Sequence, residues 1–239
     1  MKTPHCHLNC INCPCHSSSV FKDIELNIST KLSENKVVTH YKKGETLFHQ
    51  GTPTFGIYCI GSGKIKLSKL NEAGGETIFS IATSGELVGY QDPLQNPEYL
   101  TTGTVLEDCS ACFISNEYLN DLLLTRPGVA VYLLQQTTRS IETVSSYGHA
   151  SLHMNVKNRV AGLLVTLGKN FGVEESGKIK INLRLTRQEM ASMIGTASET
   201  MIRALSELKH QGVLEQKGNF ILIKDMERLF KQSNISPNV

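Results

Sequence analysis

The chain lacks any apolar run approaching the roughly 20 residues that span a bilayer, so no membrane partner is expected. Its opening stretch, MKTPHCHLNC, lacks the apolar core of an export signal, which points to the cytoplasm. There is no P-loop, no dinucleotide-binding glycine fingerprint and no Ser-His-Asp set, so nothing marks the chain as an enzyme. Charge is modest: 19% of residues are charged against 40% hydrophobic, the balance of a globular rather than a disordered protein. The seven cysteines are an odd number, and without an export signal they argue against a disulfide framework and for reduced thiols that bind metal or respond to oxidants.

At 239 residues the chain can bury one large core or two smaller ones. Its charge is uneven. Residues 1–150 carry 11 Lys and Arg against 14 Asp and Glu, while residues 151–239 carry 13 against 8. A basic C-terminal part suits an anionic partner such as nucleic acid. From Val37 to Ile114 the chain is rich in glycine and short alternating runs, the pattern of a β-barrel or jelly-roll. GIYCIGSGKIKLSKL reads as two strands turning at Ser62-Gly63, with Ile57, Cys59, Ile65 and Leu67 on one side. After Pro127, a good first-turn residue, Leu134, Ile141, Val144 and Leu152 form a loose helical stripe. The stripe can pair with a second copy of itself or pack on its own β-domain. Val156, Val160, Leu163, Leu164 and Leu167 share a face of a further helix, for which Gly168 and Gly172 are candidate stops, and KIKINLRL reads as a short strand.

LTRQEMASMIGTASETMIRALSELKHQGVLEQKGNFILI carries the most specific pattern. Thr186 and Glu189 form a T-x-x-E capping box, and Gly195 is the stop of the helix it opens. Thr196 opens a second helix that buries Met201, Leu205 and Leu208. A hairpin turning at Lys217-Gly218-Asn219 follows. Two short helices, a tight turn and a hairpin describe a winged helix-turn-helix. The outward face of the second helix holds Ser198, Glu199, Ile202, Arg203 and Ser206, and Ser198, Glu199, Thr200, Ile202 and Arg203 are the expected DNA contacts of this helix. Arg203 can donate a bidentate pair to guanine and Glu199 can accept from cytosine. Four residues apart, the two could equally form a surface salt bridge.

On YKKGETLFHQG, IYCIGSGKIKL, SGELVGYQD and the helix-turn-helix stretch, the chain resembles the Crp/Fnr family of bacterial transcription regulators over nearly its whole length. The family's E-T-x-x-R core stands here as Glu199-Thr200-Met201-Ile202-Arg203. The resemblance implies an α+β architecture: an N-terminal β-roll of double-stranded jelly-roll type, a long dimerisation helix and a C-terminal winged helix-turn-helix. It divides the chain into a cysteine-rich arm (1–20), a β-roll sensor (21–125), a dimerisation helix (126–154) and a DNA-binding domain (155–239). It further implies a homodimer on near-palindromic double-stranded DNA with TGA-type half-sites, read by Glu199 and Arg203, with Lys217 on phosphate. RNA polymerase could touch the Asn71–Glu76 turn. Cyclic AMP is not expected, because no arginine stands between Gly85 and Leu106, where Tyr99, Thr101 and Thr102 offer only neutral hydrogen bonds to a phosphate.

Fnr-like members hold an oxygen-sensitive iron–sulfur cluster on three arm cysteines and one late in the β-roll. By resemblance Cys112 is the late donor, with Cys109 a weaker candidate, and Cys10 and Cys13 are the arm's C-x2-C pair. Six positions beyond Cys13, where such arms carry a third cysteine, stands Ser19. The expected [4Fe–4S] set is therefore Cys6, Cys10, Cys13 and Cys112, with Cys15 as the substitute for Cys6. Zinc would accept the same thiolates, with His5, His7 or His16 nearby, and thiol redox sensing or incidental cysteines beside another sensed ligand are the alternatives. Cys59, in an alternating strand, reads as a core thiol. A cysteine run of this spacing also serves radical-SAM enzymes, but no (β/α) repeat follows it here.

Overall fold

In the computed structural model the described residues are 10, 12–19, 21, 26–90, 97–138, 141 and 154–234. They divide into two compact units, residues 1–141 and 142–239.

The first unit is built on a six-stranded antiparallel sheet. β1 (Lys36–Tyr41), β6 (Thr102–Ser115), β3 (Gly56–Leu70) and β4 (Glu76–Thr83) run side by side, while β2 (Thr46–Phe48) pairs with β6 and β5 (Leu87–Val88) with β3. Helix α1 (Leu26–Glu34) precedes the strands, and α2 (Asn116–Thr125) and helical residues 127–138 (α3) follow them. α2 starts because the Ser115 hydroxyl accepts from the Tyr118 N–H. α3 begins at Pro127, whose missing N–H costs nothing in a first turn. Val144 and Leu152 of the expected stripe lie outside the described residues, whereas Leu134 and Ile141 are 68% and 63% exposed.

β3 corrects the reading of two strands. It is one 15-residue strand with irregular pairing between Ile60 and Ile65. Gly63 sits there at φ +86°, and a Cβ on it would lie 2.5 Å from the Asp108 carbonyl oxygen. The bulge resets the alternation of faces. Ile57 and Cys59 therefore point to one core cluster, while Ile60, Ile65 and Leu67 point to another. The first cluster joins the N-terminal arm to Ile57, Cys59, Cys112 and Ile114, and to Leu119, Leu122, Val129 and Leu133 of α2 and α3. The second fills the inside of the roll, where Phe48 stacks on Tyr99 at 4.5 Å and on Tyr58 at 5.6 Å between ring centroids.

The second unit has α4 (Val156–Phe171), β7 (Gly172–Glu175), β8 (Lys178–Ile181), α5 (Arg187–Met193), α6 (Ser198–His210), β9 (Leu214–Lys217), β10 (Phe220–Ile223) and α7 (Met226–Ser233). The strands form one sheet in the order β7-β8-β10-β9. Asn155 caps α4 by accepting from the Asn158 N–H. Gly168 does not stop this helix. It is buried inside it, where a Cβ would come within 2.8 Å of both Ile223 and Met226, so glycine allows close packing. Gly172 is the stop, as the sequence suggested, and it also begins β7, a strand that the sequence pattern did not reveal.

Candidate functional site

Two groups of residues carry chemistry, one in each unit. In the second unit the capping box forms as expected. The Glu189 N–H donates to the Thr186 hydroxyl at 3.1 Å, and the Thr186 N–H donates to the Glu189 carboxylate at 2.8 Å. Met190, Ala191 and Ile194 are buried, and Gly195 follows the helix at φ +62°. Arg159 of α4 donates to the Ile194 carbonyl at 2.9 Å, tying the turn to the body of the unit. The N-cap of α6 is Ala197, with no side-chain hydrogen bond, so Thr196 does not cap the helix as the sequence suggested. Met201, Ala204, Leu205 and Leu208 bury the inner face.

Glu199, Ile202 and Arg203 stand exposed on the outer face of α6, with Ser198 and Thr200 half-buried beside them. Among the described residues Glu199 and Arg203 form no ion pair with each other, although Glu207 on the same helix pairs with Lys157 at 2.7 Å. The side chains that suit base edges are thus unengaged. The β9–β10 hairpin turns on two residues, Gly218 and Asn219, because Lys217 pairs directly with Phe220. Lys217 ends the strand with its side chain 70% exposed and 3.3 Å from Glu175. Glu175 also pairs with Lys180 at 3.1 Å, and these two ammonium groups hold its carboxyl below the ordinary range.

In the first unit the arm lies in the core. Cys10, Cys13 and Cys15 are all buried. The Cys13 N–H donates to the Cys10 carbonyl at 3.2 Å, and a 3-10 turn, His16–Ser18, follows directly. The Sγ atoms of Cys13 and Cys15 lie 3.1 Å apart. Cys15 is also hydrogen-bonded to Cys59, and these thiol contacts, with burial, raise its pKa far above that of a free thiol. Cys59 pairs across the strands with Cys112, so the two point to the same face of the sheet. All five thiols line one small cavity of about 20 Å³, room for about one water molecule. Lys36 and His16 line it too, and the buried Nδ1 of His16 has no hydrogen-bond partner.

Of the thiols expected from the sequence, Cys10, Cys13, Cys15 and Cys112 come together, while Cys6 lies outside the described residues. Cys59, read as a core thiol, is the one the sequence missed. Its pairing with Cys112 follows from strand register between residues 53 positions apart, which no local pattern reports. Cys109 belongs to the other face, in the cluster inside the roll, where burial and the nearby Cys112 push its thiol up to about 12. Ser19 is buried with its hydroxyl donating to the His16 carbonyl at 2.9 Å. Among the described residues no three His, Cys, Asp or Glu side chains converge as ligands around one metal ion. Tyr99, considered as a phosphate partner, donates its hydroxyl to the Gly56 carbonyl at 2.7 Å instead.

Known proteins share both halves of this arrangement. Residues 38–126 match the cyclic nucleotide-binding domain and residues 158–231 the Crp-like helix-turn-helix domain. The chain is 25% identical over 216 residues to a CRP-like cAMP-activated global transcriptional regulator of Mycobacterium tuberculosis, covering 90% of this chain and 96% of that protein. It is 26% identical over 231 residues to the anaerobic regulatory protein of Pasteurella multocida, covering 95% and 84%. Against the fumarate and nitrate reduction regulatory protein of Escherichia coli it is 25% identical over 237 residues, covering 98% and 94%. Among solved structures, FixK2 from Bradyrhizobium japonicum superposes with a TM-score of 0.74 at 22% identity, covering 84% of this chain and 98% of that one. With a roll and a helix-turn-helix that both match, and regulators as its relatives along nearly the full length, the chain belongs to the Crp/Fnr family of DNA-binding transcription regulators.

Proposed function

We propose that this regulator is a cytoplasmic homodimer that senses oxygen or redox state through a [4Fe–4S] cluster, with donors drawn from Cys6, Cys10, Cys13, Cys15 and Cys112. The observation that carries this reading is the cavity in which arm thiols meet Cys112 of β6. The donor set fits the group. A cubane takes one thiolate on each of four irons, so its donors need not converge on a single point, and none here do. Lys36 supplies a positive charge beside an anionic cofactor, and the unpartnered His16 Nδ1 is a buried polar atom in want of one. When bound, the cluster supplies an oxygen-labile link between arm and sheet. The arm does the rest. The arm's own turn forms one wall of the cavity of about 20 Å³, so the turn's position on the sheet depends on what the thiols hold. That is a two-state element biased by a chemical signal. The names of two relatives, both anaerobic or fumarate and nitrate reduction regulators, accord with this input.

The output is DNA. Glu199 and Arg203, with Ser198, Thr200 and Ile202 around them, read a TGA-type half-site in the major groove, and Lys217 contacts phosphate. Two copies pair through the stripe that leaves Leu134 and Ile141 exposed, and bind a near-palindromic site. The exposed turn at 71–75 is the candidate contact for RNA polymerase. Anaerobically purified and reconstituted protein should be coloured, contain iron and acid-labile sulfide, and change its DNA affinity in air. Colourless, iron-free protein with oxygen-indifferent binding refutes the sensing reading and leaves the DNA-binding one. One observation favours a second reading. The 3.1 Å approach of Cys13 and Cys15 suits direct thiol oxidation, in which the O–O bond of a hydroperoxide breaks, the two thiols give up their protons and join in an S–S bond, and water and the alcohol leave.

A further inference from the structure

The cavity beneath the arm contains one thiol that neither sequence spacing nor resemblance singles out. Cys59 is 6% exposed, in contact with Cys15 of the arm and directly opposite Cys112 in the ladder. Directly opposed residues of an antiparallel pair carry Cβ atoms about 4.5–5.5 Å apart on one face. Cys59 shares the arm's face with Ile57, whereas beyond the bulge after Ile60 the strand turns Ile65 and Leu67 into the roll. The arm brings Cys10, Cys13 and Cys15 to the same cavity, and Cys15 reaches across to Cys59. Ser19 lines the cavity, but its hydroxyl donates to the His16 carbonyl and accepts from the Phe21 N–H, so it closes the turn.

We infer that Cys59 is a sulfur donor of this site alongside Cys112, so that the sheet supplies two of four donors and the arm two of Cys10, Cys13 and Cys15. This rests on the proposed cluster. Cys6 is then dispensable. The arrangement also differs in kind from one with three arm donors and one sheet donor. Two donors fixed on adjacent strands are held by the ladder whatever the arm does, so half of the site stays in place when the arm lifts. The five thiols of the cavity leave one spare, and Cys15, in contact with both Cys13 and Cys59, is placed to exchange with either.

The test compares full-length wild type, Cys59→Ser, Cys6→Ser and Cys109→Ser after anaerobic reconstitution, reading iron and sulfide per chain and the visible spectrum. Cys59→Ser should lose at least about five-fold in iron, whereas Cys6→Ser and Cys109→Ser should match wild type. A second measurement uses no variant: the rate at which iodoacetamide alkylates each cysteine of wild type, mapped by mass spectrometry with and without the cluster. Cluster loading should slow Cys59 and Cys112 at least ten-fold and leave Cys109 unchanged. Wild-type iron in Cys59→Ser, loss of iron in Cys6→Ser, or a Cys59 alkylation rate indifferent to loading overturns the inference. Wild type that takes up no iron refutes the cluster itself, a separate outcome from these.

Discussion

Replacing Arg203 by alanine separates reading from folding. The side chain is exposed and forms no ion pair with Glu199, while the residues that fasten α6 to its unit are Met201, Ala204, Leu205 and Leu208. Removing an exposed, unengaged side chain changes stability by no more than about 0.5 kcal/mol. Binding should behave differently. A bidentate arginine–guanine pair is worth about 1–3 kcal/mol of discrimination, which is about 5- to 150-fold in affinity at tenfold per 1.4 kcal/mol. The loss should fall on one base pair: the variant should bind the intact site and a site mutated at that guanine about equally. The salt dependence should not move, because a base contact releases no counterion. Lys217→Ala should show the reverse, weaker binding to every sequence and a slope of log K against log salt shallower by about one. Its pairing with Glu175 is an exposed one, worth about 0–1 kcal/mol, and gives way readily to a phosphate. Fluorescence anisotropy on palindromic duplexes at four salt concentrations reads all of this. Unchanged affinity and base preference in Arg203→Ala would mean that this face of α6 does not read DNA.

Thr186→Ala removes the hydroxyl that accepts from the Glu189 N–H, leaving only the main-chain half of the capping box, and should cost about 1 kcal/mol, lowering the melting temperature of the C-terminal unit by about 4–8 °C in calorimetry. Leu134→Glu puts a charge on the exposed stripe of α3 and should weaken dimerisation by about 2 kcal/mol or more, seen as monomer in sedimentation velocity with the roll still folded. Acid should loosen the C-terminal sheet. The carboxyls of Glu175 and Glu215 are held below their ordinary value of 4.5 by hydrogen bonds from Lys180 and Lys217, and from Lys178. A carboxyl depressed in the folded state stabilises fully above its unfolded pKa, and that contribution is lost as pH falls through the folded value. The melting temperature of this unit should therefore drop below about pH 4.5, and Glu175→Gln should flatten part of the drop.

What the sequence revealed and what it hid divide along physical lines. The helix-turn-helix was legible because its signals are local: a capping box within four residues, a stop glycine, and apolar positions at helical spacing, all of which the structure reproduces. The same locality misled at Gly168, where glycine is used for close packing against Ile223 and Met226 rather than as a stop. It misled again at Ser62-Gly63, where a positive φ makes a bulge and not a turn. The bulge, by shifting the alternation, puts Ile57 and Ile65 on different faces, which simple alternation cannot anticipate. At the thiol site, cysteine spacing drew attention to Cys6, Cys10, Cys13 and Cys15, and the family resemblance to Cys112. Cys59 has no neighbour in sequence to mark it and becomes significant only through its register opposite Cys112.

The two faces of the roll also explain how a fold matched to cyclic nucleotide-binding domains can take its signal elsewhere. Inside, Phe48, Tyr58 and Tyr99 stack and Tyr99 spends its hydroxyl on a main-chain carbonyl, so the interior is occupied by the protein's own rings. Outside, the arm cysteines, Cys59 and Cys112 share one apolar cluster with Leu119 and Leu122 of α2 and Val129 and Leu133 of α3. Packed interiors do not deform gradually, so on the proposed function a change in what the thiols hold would be felt by α3 without crossing the roll. Leu134, next to the buried Leu133, faces out as part of the stripe proposed to pair two copies. On the proposed function, the residue packed in the arm's cluster, Leu133, and the residue that would meet the partner, Leu134, are adjacent on one helix. On the same proposal, a signal taken at the thiols reaches α3 through the outer cluster and does not pass through the stacked rings of the interior.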